Sequence, residues 1–163
     1  MNADSALCEL LDRQAVAGLI HAYCRHFDRN HPKALALLCT ADARVDYGHE
    51  LPDLLIDRPA IEKGVAKGLA KPFAATSHHV SNIETAFDGP DATCSGCYFH
   101  AWAPGTSIVP PCTASADSRW ICRKPGGEWA AGLCGLYDRS GARHGRRHGG
   151  RIGPMRRQEG ETP

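Results

Sequence analysis

From residue 6 to residue 28, apolar side chains recur at intervals of three and four. Leu7, Leu10, Leu11, Val16, Leu19, Ile20, Tyr23 and Phe27 read as one stripe, which predicts an amphipathic helix laid on a core. Asp4 or Ser5 can cap its start. Tyr23 continues the stripe, so its ring faces inward and its hydroxyl needs a partner there. Asp28 falls where Arg29-Asn30-His31-Pro32 breaks the helix. A carboxylate at a helix C-terminus is not stabilised by the dipole, so a buried Asp28 requires a specific partner. A short second helix follows over residues 32–39, opened by Pro32, and a third over 58–71, opened by Pro59. Between them residues 43–47 read as a strand and 49–57 as a loop.

After Pro72 the period changes from 3.6 to two. Residues 78–87 and 92–102 read as strands joined by the turn Asp88-Gly89-Pro90-Asp91, an antiparallel hairpin. Residues 104–116, rich in Pro, Ser and Thr, read as a loop. Residues 119–124 and 128–137 make a second hairpin around Pro125-Gly126-Gly127. Helices first, with one early strand, then a run of antiparallel strands, imply an α+β domain with helices on one face of a curved sheet.

The adjacent histidines of the first long strand bring in chemistry. Neighbours on a strand face opposite ways, so His78, Val80 and Asn82 share one face, and His79, Ser81, Ile83 and Phe87 the other. One imidazole must then face inward. An inward histidine is either a hydrogen-bonded core residue or a general base suited to neutral pH.

Composition narrows the classes. The 163 residues fit one domain, and no apolar run approaches the ~18–20 residues of a membrane span. The N-terminus carries no basic segment followed by an apolar one, so a cytoplasmic location is expected. The eight cysteines sit mostly in apolar patterns, which favours buried free thiols over disulfides. Cys94-Ser95-Gly96-Cys97 has the spacing of a zinc or redox pair, but on a strand the two thiols face opposite sides. From Asp138 onward seven arginines face three carboxylates, so this segment is basic and the rest of the chain mildly acidic. Residues 140–163 hold almost no large apolar side chain and read as a disordered tail beyond a domain of residues 1–139. Without interleaved aromatics the arginines give no specific nucleic-acid signal.

Several segments together carry a resemblance. They are Leu11-Asp12-Arg13-Gln14-Ala15, Tyr23-Cys24-Arg25-His26-Phe27-Asp28, Thr40-Ala41-Asp42-Ala43-Arg44-Val45-Asp46-Tyr47, Ala75-Thr76-Ser77-His78-His79-Val80-Ser81-Asn82, and the late run from Gly126-Gly127-Glu128-Trp129 to Leu136-Tyr137. In order and spacing this pattern resembles the SnoaL-like branch of the nuclear transport factor 2-like superfamily. That branch includes scytalone dehydratase, bile acid 7α-dehydratase and hexachlorocyclohexane dehydrochlorinase. The resemblance implies a cone of bent antiparallel sheet, closed by three N-terminal helices around an apolar pocket. It implies a cofactor-free lyase or isomerase, acting on a small hydrophobic cyclic substrate, with no metal. His78 takes the place of the base, Asp28 of its orienting carboxylate, Tyr23 of a polar partner to the leaving oxygen, and His100 of a second polar cavity residue. The same fold also serves non-catalytic ligand-binding and partner modules, including dioxygenase small subunits, and this remains the alternative. A homo-oligomer, dimer or trimer, is implied by resemblance alone. The pattern departs from the family over residues 103–116 and after Arg139.

Overall fold

Helix α1, Ala3–Asp28, is the longest element, and it touches the rest of the molecule along only part of its length. The computed structural model describes residues 2–47, 53–69, 75–104 and 112–138; the tail expected over residues 140–163 lies outside the described residues. Asn2 caps α1, its side-chain oxygen accepting the Ser5 N–H at 2.8 Å, in place of the expected Asp4 or Ser5. From Val16 on, α1 buries Val16, Leu19, Ile20, Tyr23 and Cys24.

The predicted single stripe is in fact two. Leu7, Leu10 and Leu11 are 55%, 62% and 61% exposed. At about 100° per residue, Leu7 and Leu11 lie about 140–180° around the helix from Val16. The face that continues Val16 toward the N-terminus carries Glu9, Asp12 and Arg13 instead. These make polar attachments: Asp12 accepts from Lys124 Nζ at 2.7 Å and Trp129 Nε1 at 2.8 Å. Arg13 donates to the Thr85 carbonyl and stacks over the Phe87 ring, 5.0 Å from its centroid.

Helix α2, Pro32–Leu37, is followed by strand β1, Cys39–Asp46, which starts four residues earlier than the alternation suggests. The stretch expected to be a loop holds a two-residue strand β2, Leu55–Ile56, before helix α3, Arg58–Leu69. Strands β3, Ser77–Phe87, β4, Ala92–Ala103, β5, Cys112–Arg123, and β6, Ala130–Asp138, complete the fold. The sheet runs β2-β1-β6-β5-β4-β3. All pairs are antiparallel except β1 with β6, which are parallel.

The largest departure from the sequence reading is β5. It begins at Cys112, within the segment expected to be a loop, and pairs with β4 from Ala92–Arg123 to Ala103–Cys112. Among the described residues, positions 112–115 pair with β4 alone, and that ladder gives the backbone its hydrogen bonds on one side whatever the composition, so the small polar residues Thr113 and Ser115 do not prevent a strand.

Strand β3 contains a bulge. Ser81 pairs with Tyr98 and Glu84 with Gly96, so Asn82 and Ile83 together oppose Cys97. Asn82 takes a left-handed backbone, φ 52°, which asparagine tolerates better than most residues. The bulge reverses the alternation. Ile83, Thr85 and Phe87 therefore join the His78 face, not the His79 face as simple alternation predicts. The core lies between this inner face and the helices, around Val16, Ile20, Leu35, Val45, Ile61, Val65 and the fully buried Trp120. Among the described residues no helix is long and apolar enough to cross a membrane.

Candidate active site

Two chain turns meet at the inner start of β3. Asp28 is the last residue of α1, and His78 the second of β3. The His78 side chain is 7% exposed and that of Asp28 24%. The imidazole Nδ1 is hydrogen-bonded to Asp28 Oδ1. The backbone N–H of His78 donates to the other carboxylate oxygen at 3.0 Å, and Thr76 Oγ1 donates to Oδ1 at 3.0 Å. The orphan carboxylate at the helix C-terminus thus finds its partners on a strand 50 residues away.

The His78 ring lies between Phe27, 4.6 Å centroid to centroid, and Phe99, 5.0 Å. Burial among these rings holds its pKa below the ordinary histidine value, and the opposing pull of Asp28 does not overcome it. The neutral ring at pH 7 keeps its proton on Nδ1, facing the carboxylate, and leaves the Nε2 lone pair as a base.

Tyr23 is buried one turn before Phe27, edge-on to Trp120 at 4.9 Å. Its hydroxyl is hydrogen-bonded to the hydroxyl of Tyr47, which lies just past the end of β1 and is also buried. Burial pushes both phenols up, so both keep their protons. Two hydroxyls sharing one bond use one hydrogen, and the other remains for a third oxygen. The Phe27 ring links the groups: it meets His78, Tyr47 at 6.3 Å and Tyr23 at 6.5 Å. Sequence reasoning treated Tyr47 only as the end of a strand. The available signal was the inward Tyr23 hydroxyl, which demanded a buried partner.

His100 does not join this group. On β4 the residues Thr93, Ser95, Cys97 and Phe99 are buried, which turns Tyr98, His100 and Trp102 to the other, exposed face. His100 lies opposite His79 in register, and His79 is exposed, with Nε2 3.0 Å from Ser77 Oγ. The parity of β4 relative to β3 decides this, and it follows from the register rather than from either strand alone. Cys94 and Cys97 likewise sit on opposite faces of β4. Cys8, Cys24, Cys39, Cys94, Cys97, Cys122 and Cys134 are free, and burial pushes the thiols of Cys24 and Cys122 up to about 12.

Residues 8–132 match the SnoaL-like domain family, a span that includes Tyr23, Asp28, Tyr47 and His78. The chain belongs to the SnoaL-like domain family. Solved SnoaL-like and related folds superpose on it closely. One, from Novosphingobium aromaticivorans DSM 12444, provisionally named a scytalone dehydratase, is 26% identical over 80% of this chain and 86% of its own, with a TM-score of 0.73. A LinA-type3 hexachlorocyclohexane dehydrochlorinase from Novosphingobium barchaimii LL02 is 14% identical over 82% and 90%, with a TM-score of 0.74. An NTF2-like protein with a cystatin-like fold from Novosphingobium aromaticivorans is 19% identical over 87% and 91%, with a TM-score of 0.74. No curated protein matches the chain at a significant level. The SnoaL-like chain therefore has the α+β fold of NTF2-like proteins, shared by dehydratases and dehydrochlorinases.

Proposed function

We propose that this SnoaL-like protein is a cofactor-free lyase that eliminates water from a small hydroxylated ring compound. The observation that carries the reading is the buried His78 ring, held by Asp28 through Nδ1 with Nε2 left as a base. In this reading His78 removes a proton from carbon, and the C–H electron pair becomes the new double bond. The C–O bond breaks with its electrons going to oxygen. Tyr23 and Tyr47 donate to that oxygen through the hydrogen their mutual bond leaves over, stabilising charge as it develops. The departing oxygen takes back the proton that His78 removed, directly or through water, and leaves as water with the imidazole neutral again. Asp28 stabilises the imidazolium formed in between, the role of the aspartate in a hydrolase triad. The apolar walls supplied by Phe27 and Phe99 suit a hydrophobic ring.

The test is a screen of hydroxylated alicyclic and polycyclic compounds for loss of water, read by mass and absorbance, with wild type beside H78Q. Turnover by wild type and none by H78Q is the expected result. Equal activity of the two proteins would remove His78 from the chemistry. A second reading, a non-catalytic ligand or partner module of the same fold, is favoured by one feature: Tyr23, Tyr47 and Trp120 fill the interior with ring against ring. Binding of ring compounds without conversion would select it.

A further inference from the structure

Beside the dyad, α1 and β3 flank a groove of about 380 Å³ whose walls include His21, Arg25, Asp28, Arg29, His78 and His79. His21, Arg25 and Arg29 form a single row along α1, each four residues from the next, and all three are exposed. Like charges at this spacing mildly destabilise a helix unless something lies between them. Position near the helix C-terminus compensates part of this cost for Arg25 and Arg29.

Among the described residues neither guanidinium has an ion pair or a side-chain hydrogen bond, whereas Arg13 of the same helix holds both Glu9 and the Thr85 carbonyl. Among the described residues lining the groove the only carboxylate is Asp28, and it is already engaged by the His78 ring, the His78 amide and Thr76. Two guanidiniums against one carboxylate leave the described walls at +1. The field is felt nearby. His26 is held below its ordinary pKa by burial first, then by Arg25, His31 and Arg29.

We propose that this groove binds the carboxylate or phosphate group of a small soluble molecule, gripped by Arg25 and Arg29 from the helix with His21 and His79 alongside. The guanidinium fork matches either group with paired hydrogen bonds, and the groove volume leaves room for the anion and a few further atoms. The site borders the lyase centre and shares Asp28 and His78 with it as wall residues, but its grip on an anion comes from Arg25 and Arg29 and does not depend on that reading.

Inorganic phosphate is the probe. The ring-proton resonances of His21 and His79 are followed by NMR at pH 7 as phosphate replaces chloride at constant ionic strength. Saturable shifts of both rings are expected, with affinity falling about tenfold or more in R25Q/R29Q, the loss expected on removing charge-assisted hydrogen bonds. Both positions are exposed, so the double variant should keep its circular dichroism spectrum and melt close to wild type. Y47F, which removes a hydroxyl outside the groove, should bind phosphate like wild type, which keeps this test separate from that of the lyase. Shifts that rise without saturating, or saturable binding that R25Q/R29Q leaves unchanged, would overturn the proposal.

Discussion

Asp28 holds His78 at two points at once, the ring through Nδ1 and the backbone through its N–H. The carboxylate therefore sets where the strand begins as well as which ring nitrogen carries the proton. The two effects separate in D28N. Its amide oxygen can still accept the backbone N–H, but the side chain no longer carries charge to favour the Nδ1 proton. Turnover on any substrate found should fall by about four orders of magnitude, as when the orienting aspartate of a hydrolase triad is neutralised. The circular dichroism spectrum should be kept. Nitrogen chemical shifts of His78 give a readout free of substrate: Nδ1–H in wild type, a changed tautomer in D28N. An unchanged tautomer would remove Asp28 from its orienting role.

The depressed pKa of His78 has a kinetic and a thermodynamic sign. The base form is needed for proton removal, so kcat/KM should rise with pH through a value below 6.5 and be level at neutrality. In the unfolded chain the ring takes a proton near 6.5, while the folded ring resists it. Below that pH the unfolded state binds more protons, so stability is full above 6.5 and declines as pH falls toward the folded pKa. His26, also held low, contributes with the same sign. Urea titrations at pH 7 and pH 5 should show a smaller pH difference in H78Q than in wild type. An equal difference would place the sensitivity elsewhere.

Tyr23 and Tyr47 satisfy one another, so removing one hydroxyl strands the other. Y23F and Y47F should each cost about 1–3 kcal/mol by denaturant unfolding, the penalty for an unpaired buried polar group. The double variant should cost clearly less than the two together, because nothing polar is then left behind. Simple additivity would mean that the hydroxyls do not depend on each other.

The apolar pattern of α1 shows what the sequence conveys and where it misleads. Element types and most boundaries were legible, because the 3.6 and two-residue periods are local properties and the turn at Asp88-Gly89-Pro90-Asp91 is a local signal. The meeting of Asp28 with His78 was legible only through resemblance. What failed depends on neighbours. The spacing from Leu11 to Val16 is five residues, which moves the stripe to another face, and the sheet covers only the second face. His100 faces outward because of the β3–β4 register, and β5 extends to Cys112 because β4 supplies its hydrogen bonds. None of these relationships is contained in any one segment.

This reading of α1 can be measured directly. L10Q should change stability by no more than about 0.5 kcal/mol, as surface substitutions do. I20A, at a fully buried position, should cost about 2–5 kcal/mol. A large loss in L10Q would mean that Leu10 is covered in solution.

The bulge at Asn82 makes β3 two strands of opposite phase spliced at one residue. The stretch before the splice turns His78 and Val80 inward, and the stretch after it turns Ile83, Thr85 and Phe87 inward. Without the splice, keeping His78 inside would send Ile83 and Phe87 out to water. The phase change lets one continuous strand present a carboxylate-bound imidazole at one end and hydrophobic packing at the other, with the two sets of residues free to vary independently.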